Sequence, residues 1–189
     1  ADGSNNRINT TGASYAGIHV SYGAILTIDD SVKNWADVEG GRIVGEKDEN
    51  GIDKPSWLMD SHNPGSITVL GGQNGACIGG DNNENSGKII INGGNITVNS
   101  YTNGTGSSAG AGIGGGYYGG TGCSLDGGGV TINGGNIDAT ASYHGAGIGA
   151  GRSACTGGVG NNGEIPGDIT SNGGYIQSTG REHGNAFNG

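Results

Sequence analysis

The stretch "SYHGAGIGAG" at residues 142–151 decides the fold, because the chain contains related copies of it. The others are "SSAGAGIGGG" ending at Gly116, "NGACIGG" ending at Gly80 and "SYAGIHV" ending at Val20. The isoleucines of the copies are Ile18, Ile78, Ile113 and Ile148. Repetition at a period of a few tens of residues predicts a stacked architecture in which each repeat packs on its neighbours.

A second motif follows the first at a nearly constant offset. It reads "TINGGNI" at 131–137, "IINGGNI" at 90–96 and, in degraded form, "TSNGGYI" at 170–176. The segments around it are β-branched, alternate apolar with polar residues and are bounded by Gly or Asn, which is typical of short strands and tight turns. We therefore expect three strands in each repeat, and no amphipathic helix. The repeat is 35–41 residues long except where one insertion lengthens it.

The three strands of each repeat are called A, B and C. The A strands are predicted at 26–28, 89–91, 130–132 and 169–171. The B strands are predicted at 8–10, 67–69, 96–98, 137–139 and 176–178. The C strand is the "AGIG" motif, in which we expect Ala and Ile to face inward and Gly to face outward.

These strands predict an all-β fold, a single-stranded parallel β-helix of about five coils with three short strands per coil. Side chains alternate across a strand, so apolar pairs such as Ile137 and Ala139 point the same way, into a narrow interior. Equivalent strands stack about 4.8 Å apart. At one corner, Asn92, Asn133 and Asn172 are expected to form a hydrogen-bonded ladder. Residues 1–189 form one such domain, and 31–65 form an insertion.

Composition excludes several classes of protein and partner. The chain has 46 glycines in 189 residues and is only 31% hydrophobic, too poor in large side chains for an ordinary globular core. Glycine does not recur at every third residue, so the chain is not collagen-like. The net charge of −9 and the lack of a basic cluster argue against nucleic acid as a partner. No apolar run is long enough for membrane insertion.

The insertion at 31–65 carries the candidate carbohydrate-binding residues. Trp35 and Trp57 offer flat apolar faces to sugar rings, while Asp37, Glu39 and Asp60 offer acceptors for sugar hydroxyl groups. Insertions on a solenoid are common places for binding. The alternative is that both tryptophans pack the insertion onto the wall of the helix and give it a small core of its own.

The loop "DNNENS" at 81–86 is a candidate metal site. It offers Asp81, Asn83 and Glu84 as oxygen ligands, a donor set that suits Ca²⁺. The loop departs from the EF-hand pattern, and a solvated polar loop is the alternative. No other cofactor is expected.

The three cysteines are an odd number. Cys123 and Cys155 lie in the loops that follow strand C in consecutive coils, so a disulfide between them would leave Cys77 unpaired. Three free thiols are the alternative, and the sequence leaves both open.

The alternation of "GAGIGGG" with "TINGGNI" resembles the Gly-rich repeats of large surface-attached or secreted proteins of Gram-positive, Clostridia-type bacteria. The resemblance implies an extracellular or cell-surface location. Such repeats accompany adhesins, cell-wall proteins and polysaccharide-active enzymes alike, so they do not decide activity. We expect a non-catalytic structural or adhesive β-helix. The alternatives are a polysaccharide-binding module and a β-helical glycoside hydrolase or polysaccharide lyase.

Two further features bear on these alternatives. Asp29 and Asp30 are adjacent and face opposite sides of a strand, which argues against a hydrolase pair with carboxyls about 5–10 Å apart. Neither end of the predicted solenoid carries a recognisable cap over its open strand edges. We expect these edges to pair with another copy of the chain in a head-to-tail fibre, or with flanking domains of a longer chain.

Overall fold

The computed structural model describes residues 6–10, 14–30, 38–39, 42–47, 50, 53–55, 65–100, 110–119, 129–141, 143–152, 169–180 and 187–188. These residues form seventeen strands and no helix, which confirms the predicted all-β class. Within them, no helix is long and apolar enough to cross a membrane.

The strands follow one another in the order B, C, A through successive coils. Coil 1 contains β1 (Asn6–Asn9), β2 (Ile18–His19) and β3 (Ile25–Ile28). The insertion contains β4 (Val38–Glu39), β5 (Arg42–Lys47) and β6 (Asp53–Pro55), which form their own antiparallel sheet. Coil 2 contains β7 (Ser66–Gly71), β8 (Ile78–Gly79) and β9 (Lys88–Ile91), and coil 3 contains β10 (Asn95–Ser100), β11 (Ile113–Gly114) and β12 (Gly129–Ile132). Coil 4 contains β13 (Asn136–Thr140), β14 (Ile148–Gly149) and β15 (Ile169–Ser171), and coil 5 contains β16 (Tyr175–Thr179) and β17 (Phe187–Asn188).

Strands of one type stack into one parallel sheet. The B sheet has the order β1-β7-β10-β13-β16 and the C sheet the order β2-β8-β11-β14-β17. The A sheet has four strands in the order β3-β9-β12-β15. Three parallel sheets built from successive coils confirm the predicted parallel β-helix with three strands per coil and about five coils.

The interior consists of columns of aliphatic side chains. Ile96 pairs with Ile137, which pairs with Ile176, as the repeat alignment predicts. The C sheet likewise aligns Ile18, Ile78, Ile113, Ile148 and Phe187 in one register column. In coils 2 to 4 these isoleucines are almost completely buried. Burial of one face of the inner strands fixes the register, because a slip by one residue would expose the whole column.

The predicted register of the first B strand is wrong by two residues. Ile8 pairs with Val69, not with Ile67, and Ile67 pairs with Asn6. Because the side-chain period of a strand is two, this shift leaves Ile8 on the inward face.

The "AGIG" glycines that are predicted to face outward are nevertheless covered by the neighbouring coils. Gly79 and Gly114 are buried and have φ angles of 141° and 132°. A Cβ on Gly79 would overlap the carbonyl oxygen of Gly114 in the next coil. Glycine is needed here because successive backbones approach closely and adopt a conformation that L side chains avoid.

The predicted asparagine ladder is present at the corner between the A and B strands. Asn133 Nδ2 donates to Asn92 Oδ1 over 2.7 Å, and Asn172 Nδ2 donates to Asn133 Oδ1 over 2.8 Å. The backbone N–H of Asn133 also donates to the carbonyl of Ile91 over 2.7 Å. Each rung therefore links one coil to the next through both side chain and backbone.

Candidate functional site

A tight turn follows the C strand in three successive coils. The backbone N–H of the fourth residue donates to the carbonyl of the first at 21–24, 81–84 and 116–119, over 2.9, 3.0 and 2.8 Å. The third residue of each turn has a positive φ, namely 81° at Gly23, 65° at Asn83 and 59° at Tyr118. A positive φ at this position is characteristic of a type II turn. The turns place their side chains on one edge of the solenoid.

Among the described residues, one group of metal-ligating side chains converges, where the 81–84 turn packs on coil 1. His19 Nε2 lies 2.7 Å from Glu84 Oε2 and 4.0 Å from Asp81 Oδ2. One ligand atom from each of the three residues lies within 4.8 Å of the others. The side chains of His19, Asp81 and Glu84 are 42%, 22% and 32% exposed, so solvent reaches the cluster.

Hydrogen bonds to coil 1 hold the turn in this place. Asp81 Oδ1 accepts a hydrogen bond of 2.6 Å from the backbone N–H of Ala16. The backbone N–H of Asn82 donates to the carbonyl of Ser14 over 3.0 Å. His19 belongs to β2, and its ring nitrogen is 3.5 Å from the hydroxyl of Ser21. Strand β2 therefore supplies the imidazole and the following coil supplies both carboxylates.

The structure brings together two of the three metal ligands predicted from the sequence. Asp81 and Glu84 converge, while Asn83 is an exposed turn residue whose backbone N–H donates to the carbonyl of Tyr117 over 2.7 Å. Sequence reasoning missed His19, which is 65 residues from Glu84. The available signal was the break in the motif, because His19 stands in register with Gly79.

Imidazole changes the chemistry that this cluster suits. Ca²⁺ prefers a shell of oxygen ligands, whereas Zn²⁺ and neighbouring transition metals accept imidazole nitrogen together with carboxylate oxygen. His19 Nε2 and Glu84 Oε2 form a hydrogen-bonded pair at 2.7 Å.

The turns also carry exposed aromatic residues. The rings of Tyr117 and Tyr118 stack with centroids 3.8 Å apart, and Tyr117 donates a 2.8 Å hydrogen bond to the Tyr118 hydroxyl. This hydrogen bond, together with burial, raises the pKa of Tyr117. Tyr22 occupies the same turn position as Tyr117 in coil 1, and Arg152 occupies it in coil 4. Tyr22 and Tyr118 are exposed.

The predicted carbohydrate-binding residues fall mostly outside the described residues. Trp35, Asp37, Trp57 and Asp60 lie there, so the proposed glycan contacts in the insertion stay a prediction. Glu39 is in β4, where its backbone is in register with Arg42 of β5.

The cysteine prediction also lies largely outside the described residues, since it concerns Cys123 and Cys155. Cys77 is free and fully buried. Burial raises the pKa of its thiol from 9.0 to about 12, against smaller opposing effects of hydrogen bonds with Gly71 and Ser100. The thiol is therefore protonated and inert near neutral pH, and it acts as a small core side chain.

The chain matches no protein-family model, no curated protein and no solved structure.

Proposed function

We propose that the chain is a non-catalytic structural or adhesive β-helix of a bacterial surface or secreted protein, and that its open ends associate with a second copy. The observation that carries this proposal is the incomplete burial of apolar side chains at the two ends of the solenoid. Apolar side chains that pack on the core but stay partly exposed belong almost entirely to the end strands of the three sheets: Ile8, Ile18, Leu26, Ile28, Ile169 and Ile176, with Ile67 as the exception.

The strand edges at these ends add a second reason. Among the described strands, β1, β2 and β3 pair on one side only, and so do β16, β17 and β15 at the other end. Backbone N–H and C=O groups on such edges are templates for further strands. A second copy that continues the B and C sheets would place its β1 on β16 and its β2 on β17. The A sheet has four described strands, whereas the B and C sheets have five each. A gap one strand wide would therefore remain in the A sheet at the junction.

The location in this proposal rests on the resemblance of the repeats to those of bacterial surface and secreted proteins. The charge of −9 and the exposed polar residues of the B sheet, such as Thr97 and Asp138, are compatible with a solvated outer face.

Sedimentation velocity at micromolar concentration, with and without sonicated seeds, tests the association. We expect elongated oligomers that grow on seeding. Ile18→Lys should abolish them, because it places a charge at the open end of the interior. Ile25→Lys is the matched control in the same coil, because Ile25 is 68% exposed and should tolerate the same charge. A discrete monomer that does not grow on seeding would contradict the proposed association.

A polysaccharide-binding role is the second candidate, and the conformation of Tyr118 favours it. Tyr118 holds a φ of 59° at a turn position that is Gly or Asn in the two preceding coils. A bulky residue in this region carries backbone strain, and such strain is frequent at binding sites. The strained residue presents an exposed ring, stacked on Tyr117, to solvent. Aromatic rings of this kind bind the apolar faces of sugars.

Retention on an insoluble polysaccharide tests this second role. Tyr117→Ala and Tyr118→Ala should each reduce retention, while Tyr175→Ala, an exposed tyrosine on the B sheet, should not. If glycans bind the insertion instead, Trp35→Ala or Trp57→Ala will remove retention and leave the β-rich circular dichroism spectrum unchanged. Full retention by both turn variants and both tryptophan variants would exclude the tyrosine pair and the insertion as glycan-binding surfaces.

A further inference from the structure

The cluster of His19, Asp81 and Glu84 consists of three departures from the repeat that meet in space. The register places Gly79, Gly114 and Gly149 at the position of His19 in coils 2 to 4, and Asn188 in coil 5. The first turn residue is Ser21 in coil 1, Asp81 in coil 2 and Gly116 in coil 3, and the fourth is Ala24, Glu84 and Gly119. Ligand-bearing side chains therefore face one another only at the contact between coils 1 and 2 of the described chain.

Steric crowding explains why coil 3 does not repeat the arrangement. A Cβ on Gly116 would overlap the carbonyl oxygen of Asp81, and a Cβ on Gly119 would overlap that of Glu84. The turn of coil 2 thus lies directly under the glycines of coil 3. An imidazole at position 19 and two acids on the facing turn form a single local site.

We propose that His19, Asp81 and Glu84 bind one divalent transition metal ion of the Zn²⁺ class, which fastens coil 1 to coil 2. One imidazole nitrogen and two carboxylate oxygens, completed by water, are a normal ligand set for such an ion. Metal–ligand bonds of about 2.0–2.2 Å require ligand atoms to lie within about 4.4 Å of one another. The observed separations are 4.8 Å or less, so small side-chain rotations bring the three atoms onto a common ion.

The surroundings of Asp81 prepare it for this role. Its Oδ1 is engaged by the backbone N–H of Ala16 at 2.6 Å, while Oδ2 is the oxygen nearer to His19, at 4.0 Å. Hydrogen bonds of this kind to the second carboxylate oxygen orient ligands in metal sites. The positive charge of the ion also offsets the electrostatic repulsion between the two carboxylates.

Isothermal titration of the metal-stripped full chain with ZnCl₂ tests the proposal, alongside thermal unfolding with and without Zn²⁺. We expect binding of one equivalent, a rise in Tm of several degrees, and no comparable effect of CaCl₂. His19→Gln and Glu84→Gln should each weaken Zn²⁺ binding at least tenfold. His144→Gln is the matched control, because it removes another histidine outside the cluster.

A simple ion pair between His19 and Glu84 makes a different prediction. In that case His19→Gln lowers Tm by the same amount with and without Zn²⁺, and the wild type binds no Zn²⁺ at this site. That result, or Zn²⁺ binding that survives His19→Gln, overturns the proposal. Should the glutamine variants fail to fold, the visible absorption spectrum of the Co²⁺-loaded wild type gives the answer. Tetrahedral Co²⁺ with nitrogen and oxygen ligands supports the site, and a spectrum of free aqueous Co²⁺ contradicts it.

Discussion

Asn133 stands between Asn92 and Asn172 and hydrogen-bonds to both, donating to the first over 2.7 Å and accepting from the second over 2.8 Å. This middle rung joins three coils through one side chain. The end rung, Asn172, makes only one of these two contacts within the ladder.

Asn133→Ala should therefore destabilise the fold more than Asn172→Ala. Each lost hydrogen bond costs about 1 kcal/mol, and a partly buried amide left without its partner costs more. We therefore expect the free energy of unfolding to fall by about 2–3 kcal/mol in Asn133→Ala and by about 1 kcal/mol in Asn172→Ala. Asn99→Ala, an exposed outward position, is the control. Urea unfolding measures the free energies. Equal losses for the two ladder variants would show that the ladder does not carry this stability.

Alanine substitutions at Gly79 and Gly23 distinguish the cost of steric overlap from the cost of backbone strain. Gly79→Ala must both tolerate a φ of 141° and displace the Gly114 carbonyl, so we expect a loss of about 3 kcal/mol or more. Gly23→Ala has a φ of 81° but no neighbouring atom within 4 Å of the new Cβ, so we expect about 1 kcal/mol. Urea unfolding of both variants checks the difference. Similar losses would mean that the coils move apart easily.

Two substitutions of Tyr118 measure the backbone strain of the turn independently of the loss of the tyrosine ring. Both Tyr118→Ala and Tyr118→Gly remove the stack on Tyr117, but only glycine accepts the φ of 59° without strain. The glycine variant should therefore be more stable than the alanine variant by about 1 kcal/mol. Thermal or urea unfolding decides it, and an alanine variant of equal stability would mean that the turn relaxes.

Because of Cys77, we expect the folded protein to lose stability in alkaline solution. Its pKa is raised from 9.0 to about 12 in the folded state, so the folded protein keeps the proton after the unfolded chain has lost it. The contribution is fully present below pH 9 and is lost as pH rises from 9 towards about 12. Cys77→Ala should flatten the dependence of unfolding free energy on pH in this range. A variant with the same alkaline slope as the wild type would contradict the assignment.

The same burial predicts that Cys77 resists alkylation. Iodoacetamide at pH 8 should leave Cys77 unmodified in the native protein and modify it in urea, as read by peptide mass spectrometry. Rapid native labelling would show that the interior opens at this coil.

The repeat made the A, B and C strands predictable, because aligned copies such as Ile96 and Ile137 must share a face once they share a coil. The Asn92–Asn133 rung followed from the same alignment. Coil 1 was harder, since no "NGG" corner precedes Ile8 to fix its register. Alternation also does not distinguish a glycine that faces solvent from one, such as Gly79, pressed against the next backbone.

The site was less predictable than the fold. Asp81 and Glu84 are visible as a polar loop, but their partner His19 depends on which coil the turn packs against. The repeat alignment places His19 opposite Gly79, but it does not show that the 81–84 turn packs against coil 1 beside β2.

Arg7 and Gln177 are placed to test the proposed association of the two ends. They are the exposed end members of one outward column on the B sheet, made of Arg7, Thr68, Thr97, Asp138 and Gln177. Four strand spacings separate them within one chain, about 19 Å, whereas a stacked neighbour brings them to about 4.8 Å.

Disulfide cross-linking between single-cysteine variants is the most direct measurement. Arg7→Cys and Gln177→Cys are prepared separately in a background where Cys77, Cys123 and Cys155 are replaced by alanine, and the two are mixed under mild oxidation. We predict a covalent dimer in the mixture and little in either variant alone. No cross-link in the mixture, or equal cross-linking of each variant with itself, would contradict end-to-end association.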